Sequence, residues 1–128
     1  MARILIFAGD VALEAELNES PTAQQILVAL PFEGEGNRWG DEIYFEIPVV
    51  AENEPTARVE MEIGEVAYWP AGRALCLFFG PTPVSRDDRP RAYSPVNVVG
   101  RILGDASVLR GVPDGCRVRV ERAQGGGR

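Results

Sequence analysis

The sequence predicts a mainly β protein: a closed β-barrel of about eight short strands, with one short helix covering an end. Three observations predict this fold class. Apolar and polar residues alternate in several short segments, as in half-buried strands, and a single segment has helical periodicity. The chain has 128 residues, enough for one domain with one core. A barrel of eight strands has an interior that side chains fill or that holds one small ligand.

The N-terminal segment predicts a β-hairpin. Residues 3–8 are an apolar run, and residues 11–17 alternate between apolar and polar side chains. Between them, Gly9 and Asp10 are typical of a two-residue type II′ turn, whose first central position has the positive φ that glycine tolerates. We expect the two segments to pair as neighbouring antiparallel strands.

One helix is predicted between residues 20 and 31. Ser20 is a favourable N-cap, Pro21 suits the first helical position, and Pro31 ends the helix. Apolar side chains recur with helical spacing at Ala23, Ile26, Leu27 and Leu30. We expect this helix to lie over one opening or face of the sheet.

Six further strands are predicted, together with three irregular segments. The strands are expected at residues 43–49, 59–63, 66–69, 74–79, 96–103 and 116–122. The fully apolar run 74–79 is expected to be the most buried strand. The irregular segments are a flexible connector at 32–40, a proline-rich loop at 80–95 and a flexible tail at 124–128. The barrel domain is therefore expected to span residues 1–123.

The composition excludes several reaction classes. The chain has no histidine, and all 13 of its basic residues are arginine. Without histidine there is no Ser-His-Asp triad, Cys-His pair or His-ligated zinc, and without lysine there is no Schiff base. We expect no metal and no cofactor. The net charge of −6 disfavours binding to a nucleic-acid backbone.

Location and redox state follow from two simpler observations. No apolar run approaches the roughly 20 residues of a membrane-spanning helix, so no membrane contact is expected and we predict a cytoplasmic protein. Cys76 and Cys116 lie in apolar segments without CxxC spacing, and we expect both thiols to be reduced.

Four motifs carry a resemblance to a known family. They are residues 38–45 (RWGDEIYF), 64–70 (GEVAYWP), 78–83 (FFGPTP) and 94–97 (SPVN). In this order they resemble a family of small uncharacterised bacterial and archaeal proteins with a cyclophilin-like barrel. The resemblance implies a barrel of about eight strands. The Phe-His-Arg and Gln-Gly-Gly-Asp types of motif of true cyclophilins do not occur here, so their catalytic residues have no counterparts to transfer.

Candidate site residues are aromatic side chains and one arginine. Prolyl isomerisation needs neither nucleophile nor base, and a donor to the prolyl nitrogen lowers its barrier. Arg73 lies in the turn before the apolar strand and is the candidate for this catalytic role, against the alternative of an ordinary turn residue. The candidate ligand-binding residues are Trp39, Tyr44, Tyr68, Trp69, Phe79 and Asn97, with core packing or a loop hydrogen bond as the alternative for each.

Three functions remain compatible with these residues. The first is a binding module for a small molecule or a proline-containing peptide, without the conventional isomerase site and with a homodimeric state left open. The second is a divergent peptidyl-prolyl cis/trans isomerase that uses Arg73 and an aromatic pocket. The third is a structural or assembly protein whose own side chains fill the mouth of the barrel.

Overall fold

The computed structural model describes residues 1–123, which contain ten β-strands, one α-helix and two short 3-10 turns. The strands are β1 (Ala2–Ala8), β2 (Val11–Leu17), β3 (Phe32–Glu35), β4 (Asn37–Arg38), β5 (Glu42–Glu46), β6 (Arg58–Glu60), β7 (Glu65–Trp69), β8 (Ala74–Phe78), β9 (Arg91–Leu103) and β10 (Arg117–Arg122). The helix, α1, is Pro21–Ala29, and the 3-10 turns are Pro70–Gly72 and Ala106–Gly111. The predicted tail, 124–128, lies outside the described residues.

All strand pairs are antiparallel, and the main sheet runs β3-β10-β1-β2-β9-β7-β8-β5-β4, with β6 on one part of β9. This confirms the mainly β class with one α-helix. It does not confirm a closed barrel, because the ladder of hydrogen bonds ends at β3 on one side and β4 on the other. Gly36 alone separates these two strands along the chain, so the two ends of the ladder are covalent neighbours.

The predicted hairpin and helix are both present. β1 and β2 pair from Ala2↔Leu17 to Ala8↔Val11, and Gly9 in the turn has φ +59°. At the start of α1 the Ser20 hydroxyl accepts a hydrogen bond from the Ala23 N–H at 3.2 Å, which satisfies one of the free donors of the first turn. The peptide bond between Leu30 and Pro31, just after the helix, is cis.

Two segments predicted as irregular contain strands. The connector 32–40 forms β3 and β4, because Phe32 enters the core and the residues after it pair with β10. The last five residues of the loop 80–95 belong to β9, which is longer than predicted and pairs there with β6. The prolines and mixed charges of that loop hid the strand, since they are depleted in strands in general.

The core has two parts, one on each face of the sheet. The main cluster includes Leu75 and Leu77 of β8, and the alternate residues Cys76 and Phe78 belong to a second cluster on the opposite face. β8 is therefore buried on both faces, as its apolar run predicts. We call the second group the outer cluster; its buried members are Met61, Ala67, Cys76, Phe78, Ala92 and Val96.

Both cysteines are free, with Cys76 buried and Cys116 half-buried. Among residues 1–123, none of the helices is long and apolar enough to span a bilayer.

Candidate functional site

A cleft of about 150 Å³ opens on the same sheet face as the outer cluster. We call it the aromatic cleft, and the residues that line it are Trp39, Tyr44, Trp69, Tyr93 and Val96. Val96 belongs to the outer cluster and Tyr44 and Trp69 pack against it, so the cluster forms the floor. Tyr93 stands at the rim with 73% of its surface exposed.

The four rings form a continuous wall of edge-to-face contacts. Tyr44 and Trp69 have ring centroids 6.0 Å apart with an interplanar angle of 82°. Trp69 and Tyr93 are 6.1 Å apart at 79°, and Tyr93 and Trp39 are 6.1 Å apart at 77°. These are the distances and angles that the ring quadrupole favours. Each ring therefore supports the orientation of the next.

Trp69 is held by a hydrogen bond and by close backbone packing. Its indole Nε1–H donates to the Ser94 hydroxyl oxygen at 2.7 Å. On the other side, a Cβ at Gly72 would overlap the six-membered ring of Trp69, so only glycine leaves room for the indole. Residue type at Gly72 and Ser94 thus fixes the position of the central ring of the wall.

Trp39 is carried by an anchored hairpin between β4 and β5. Its N–H donates to the Glu42 carbonyl at 2.9 Å, and the Glu42 N–H returns a bond of 3.2 Å to the Trp39 carbonyl. The preceding residue, Arg38, donates from its guanidinium to the Val112 carbonyl at 2.7 Å and from its backbone N–H to the Asp114 carboxylate at 2.8 Å. The cleft residue therefore sits on a segment tied to a distant part of the chain.

A buried carboxyl group lies on the strand that carries Tyr44. Glu42 lies two residues before Tyr44 on β5, so both side chains leave the same face of the sheet. Only 5% of Glu42 is exposed, and its Oε1 has no hydrogen-bond partner among the described residues. Burial raises the pKa of Glu42 to about 7, against a smaller opposite effect of the Cys76 thiol. The carboxyl group is thus poised to change its charge near neutral pH.

Burial also raises the pKa of the Cys76 thiol well above its usual value, and the neighbouring Glu42 adds to the increase. Cys76 is fully enclosed in the outer cluster. A thiol of this kind is neutral and a poor nucleophile.

The structure brings three of the predicted ligand-binding residues together: Trp39, Tyr44 and Trp69 all line the aromatic cleft. Tyr68 and Phe79 are instead fully buried in the main cluster, on the other face of the sheet. The Tyr68 hydroxyl donates to the Val49 carbonyl at 2.6 Å, so its polar group is already used.

Asn97 and Arg73 also lie outside the lining. Asn97 is fully buried, and its amide donates to the Glu52 carbonyl at 2.9 Å and accepts from the Glu54 N–H at 2.8 Å. Arg73 is exposed in the turn after Trp69, where its φ of +49° places it in the left-handed region. Neither side chain contributes to the walls of the cleft.

Tyr93, Ser94 and Val96 are the site residues that the sequence did not single out. They belong to the first part of β9. The prediction places Tyr93 and Ser94 in the loop 80–95 and Val96 at the start of the strand 96–103. The alternation from Ala92 to Val96 is interrupted by Pro95, and this weakens the strand signal. For Glu42 a signal existed, because its spacing from Tyr44 places both side chains on one face of a strand.

The chain is thus a small, mainly β protein with one α-helix and an aromatic cleft on the outer-cluster face of its antiparallel sheet. The family model described as cyclophilin-like matches residues 2–121, and the chain belongs to this family. The predicted resemblance is therefore confirmed.

A solved structure from an archaeon is similar over nearly the whole chain. It is the solution structure of a hypothetical protein from Archaeoglobus fulgidus, which is 46% identical, with 95% of each chain covered and a TM-score of 0.81. None of the curated proteins matches this chain.

Proposed function

We propose that this protein is a binding module for a small ligand or a peptide, with the aromatic cleft as its site and without the conventional isomerase site. The observation that carries the proposal is the wall of four aromatic rings around about 150 Å³ of space. Clefts lined by aromatic side chains with few polar groups are typical of small-molecule sites.

The size of the cleft sets the size of the group it takes. An engineered apolar cavity of about 150 Å³ in another protein accommodates benzene. The aromatic cleft has the same volume, so it accommodates one ring or one branched group rather than an extended chain. A proline ring and a small apolar ligand both meet this limit, and the rest of a peptide would lie in solvent beyond Tyr93.

The position of Arg73 supports binding without turnover. An isomerase that uses this arginine needs its guanidinium beside the bound prolyl nitrogen. Arg73 is exposed and lies outside the lining of the cleft. The lining contains no arginine, so the guanidinium that this mechanism requires is absent from the five residues around the ligand.

The two tryptophans give a direct test, because the chain has only two and both line the cleft. The two indole N–H signals in a proton–nitrogen NMR spectrum therefore report on occupancy. We expect saturable shifts of both signals on titration with members of a panel of proline-containing peptides and small apolar compounds. Tyr93→Ala should weaken this binding, and Val108→Ala, an exposed residue on a 3-10 turn, should not.

The same samples distinguish binding from catalysis. Exchange NMR on each peptide measures its cis/trans rate with and without protein, and we expect no acceleration. Acceleration that Arg73→Ala abolishes would establish the isomerase instead. If no member of the panel moves either indole signal, the aromatic cleft is not a binding site for these ligands and the proposal fails.

A further inference from the structure

The chemical identity of the four rings narrows the class of ligand. All four are tryptophan or tyrosine, and none is phenylalanine. The faces of these rings carry negative potential, strongest for tryptophan, and they attract a cation that is held within about 6 Å of the ring centroid. Each edge-to-face contact covers one face of only one of its two rings, so the three contacts leave other ring faces free of these neighbours. The aromatic cleft thus has the composition of an aromatic cage for a cation.

The polar groups of the cleft distinguish between kinds of cation. A primary ammonium has three N–H donors, each of which needs an acceptor when it leaves water. None of the five lining side chains has a carboxylate or an amide, and the Ser94 hydroxyl next to the cleft already accepts from Trp69. The Tyr44 and Tyr93 hydroxyls are the only side-chain acceptors of the lining, too few for the three donors of a primary ammonium. A quaternary ammonium has no N–H donor, so it loses no hydrogen bond on entering the cleft.

The charges around the cleft also favour a cation. Glu42 is a buried carboxyl group on the same face of the sheet, with one oxygen that lacks a partner among the described residues. Two arginines approach the edge of the outer cluster, and both have carboxylate partners: Arg58 pairs with Glu65 at 2.8 Å, and Arg91 pairs with Glu60. Glu42 forms no ion pair among the described residues, so its ionised form adds uncompensated negative charge on this face of the sheet.

We propose that the aromatic cleft binds a small quaternary ammonium compound, with its trimethylammonium group among the four rings and Glu42 as the nearby anion. This inference rests on the proposed binding function and names its ligand class. The trimethylammonium group is compact, and a volume of about 150 Å³ is sufficient for a single group of this kind. Positive charge is what separates this ligand from the neutral groups that also fit the space.

A matched pair of probes isolates the charge. Choline and 3,3-dimethyl-1-butanol have the same shape, but a carbon atom replaces the nitrogen in the alcohol. Both are titrated at pH 8, where Glu42 is ionised, with sodium chloride added to equalise ionic strength, and the two indole N–H signals are followed. We expect choline to bind about tenfold more tightly than the alcohol, the effect of a cation held against several aromatic faces.

Variants then assign the preference to the named groups. Glu42→Gln should reduce the preference for choline by about three- to tenfold, since it removes a nearby charge and keeps the shape. Glu14→Gln, an exposed carboxylate on β2, should leave the preference unchanged. Tyr93→Ala should weaken the binding of choline more than the binding of the alcohol. Tyr93→Phe keeps the ring and should not weaken choline binding selectively. Because this side chain is exposed, both variants are expected to fold.

Two outcomes overturn the inference, and they separate it from the proposed function. Equal affinity for the two probes would show that the cleft binds by shape and apolar contact alone. That result would reject the quaternary ammonium ligand and would leave the proposed binding function standing. If neither probe shifts the indole N–H signals, a quaternary ammonium ligand is also excluded. In that case the peptides and apolar compounds of the panel decide the proposed function independently.

Discussion

The indole Nε1–H of Trp69 donates a hydrogen bond to the hydroxyl oxygen of Ser94 at 2.7 Å, and this bond joins β7 to β9 beside the aromatic cleft. It uses the polar group of the central ring of the wall. Trp69 contacts both Tyr44 and Tyr93 edge to face, so its orientation determines where the other two rings can pack. The shape of the cleft therefore depends on one side-chain hydrogen bond.

Removing this bond should loosen the wall. We expect Ser94→Ala to lower the free energy of unfolding by about 1 kcal/mol, the usual contribution of a hydrogen bond between neutral groups. The indole signal of Trp69 should also move and broaden, because the ring loses its acceptor. Urea denaturation and NMR measure the two effects. Ser94→Thr keeps a hydroxyl and should retain most of the stability and a Trp69 signal close to that of wild type. An unchanged Trp69 signal in Ser94→Ala would show that the bond does not orient the ring.

The buried carboxyl group of Glu42 should make stability depend on pH. Its pKa is about 7 in the folded protein and has the usual value of 4.5 when exposed. Between these values the folded protein binds more protons than the unfolded chain, so the free energy of unfolding falls as pH rises and becomes level above pH 7. At about 1.4 kcal/mol per pKa unit, we expect a loss of about 3 kcal/mol in wild type from this group.

Substitution isolates that contribution. The glutamine of Glu42→Gln cannot ionise, so this variant should not lose stability from this position as pH rises. Between pH 4.5 and pH 8 its free energy of unfolding should therefore rise relative to that of wild type by about 3 kcal/mol. Urea denaturation across this range measures it. Glu46→Gln changes an exposed carboxylate on the same strand and should keep the wild-type slope. Parallel curves for Glu42→Gln and wild type would mean that Glu42 is charged throughout or solvated in the folded state.

Asn97 should contribute to stability and not to binding. Its amide contacts the Thr22 hydroxyl at 3.1 Å, in addition to its bonds with the backbone of Glu52 and Glu54. Asn97→Ala leaves these buried groups without partners, so we expect a loss of about 2–4 kcal/mol in the free energy of unfolding. Choline and peptide affinities, measured where the variant is folded, should match those of wild type. Weaker binding by the folded variant would mean that Asn97 contributes to ligand binding. The stability control is Asn37→Ala, because Asn37 is exposed.

The sequence is most informative where a local rule decides the structure. Ser20 and Pro21 mark the start of α1, and Gly9 marks the first hairpin, because caps and turns depend on a few neighbouring residues. β3 was not predicted, since it is stabilised by pairing with the distant β10, and β4 was not predicted because its two residues are too few to show an alternation. Non-local pairing leaves no signal within a nine-residue window.

The same limit applies to the site. Trp39, Tyr44 and Trp69 were predicted from their type, but which face of the sheet an aromatic occupies depends on register. Tyr68 and Trp69 are adjacent on β7 and therefore point to opposite faces, one into the main cluster and one into the aromatic cleft. Residue type alone does not separate them, and the pairing of β7 with β8 and β9 does.

Gly100 lies at a close backbone approach between β9 and β2, and its substitution should be among the most damaging single changes in the sheet. A Cβ at this position would overlap the carbonyl oxygen of Glu16 on β2, and backbone cannot move aside without breaking the pairing of β2 with β9. We expect Gly100→Ala to lower the free energy of unfolding by about 3 kcal/mol or more. At Gly111 a Cβ would meet no atom within 4 Å, so Gly111→Ala should change stability by no more than about 0.5 kcal/mol. Thermal or urea denaturation compares the two variants, and equal stabilities would mean that β2 and β9 are further apart at Gly100 than this register requires.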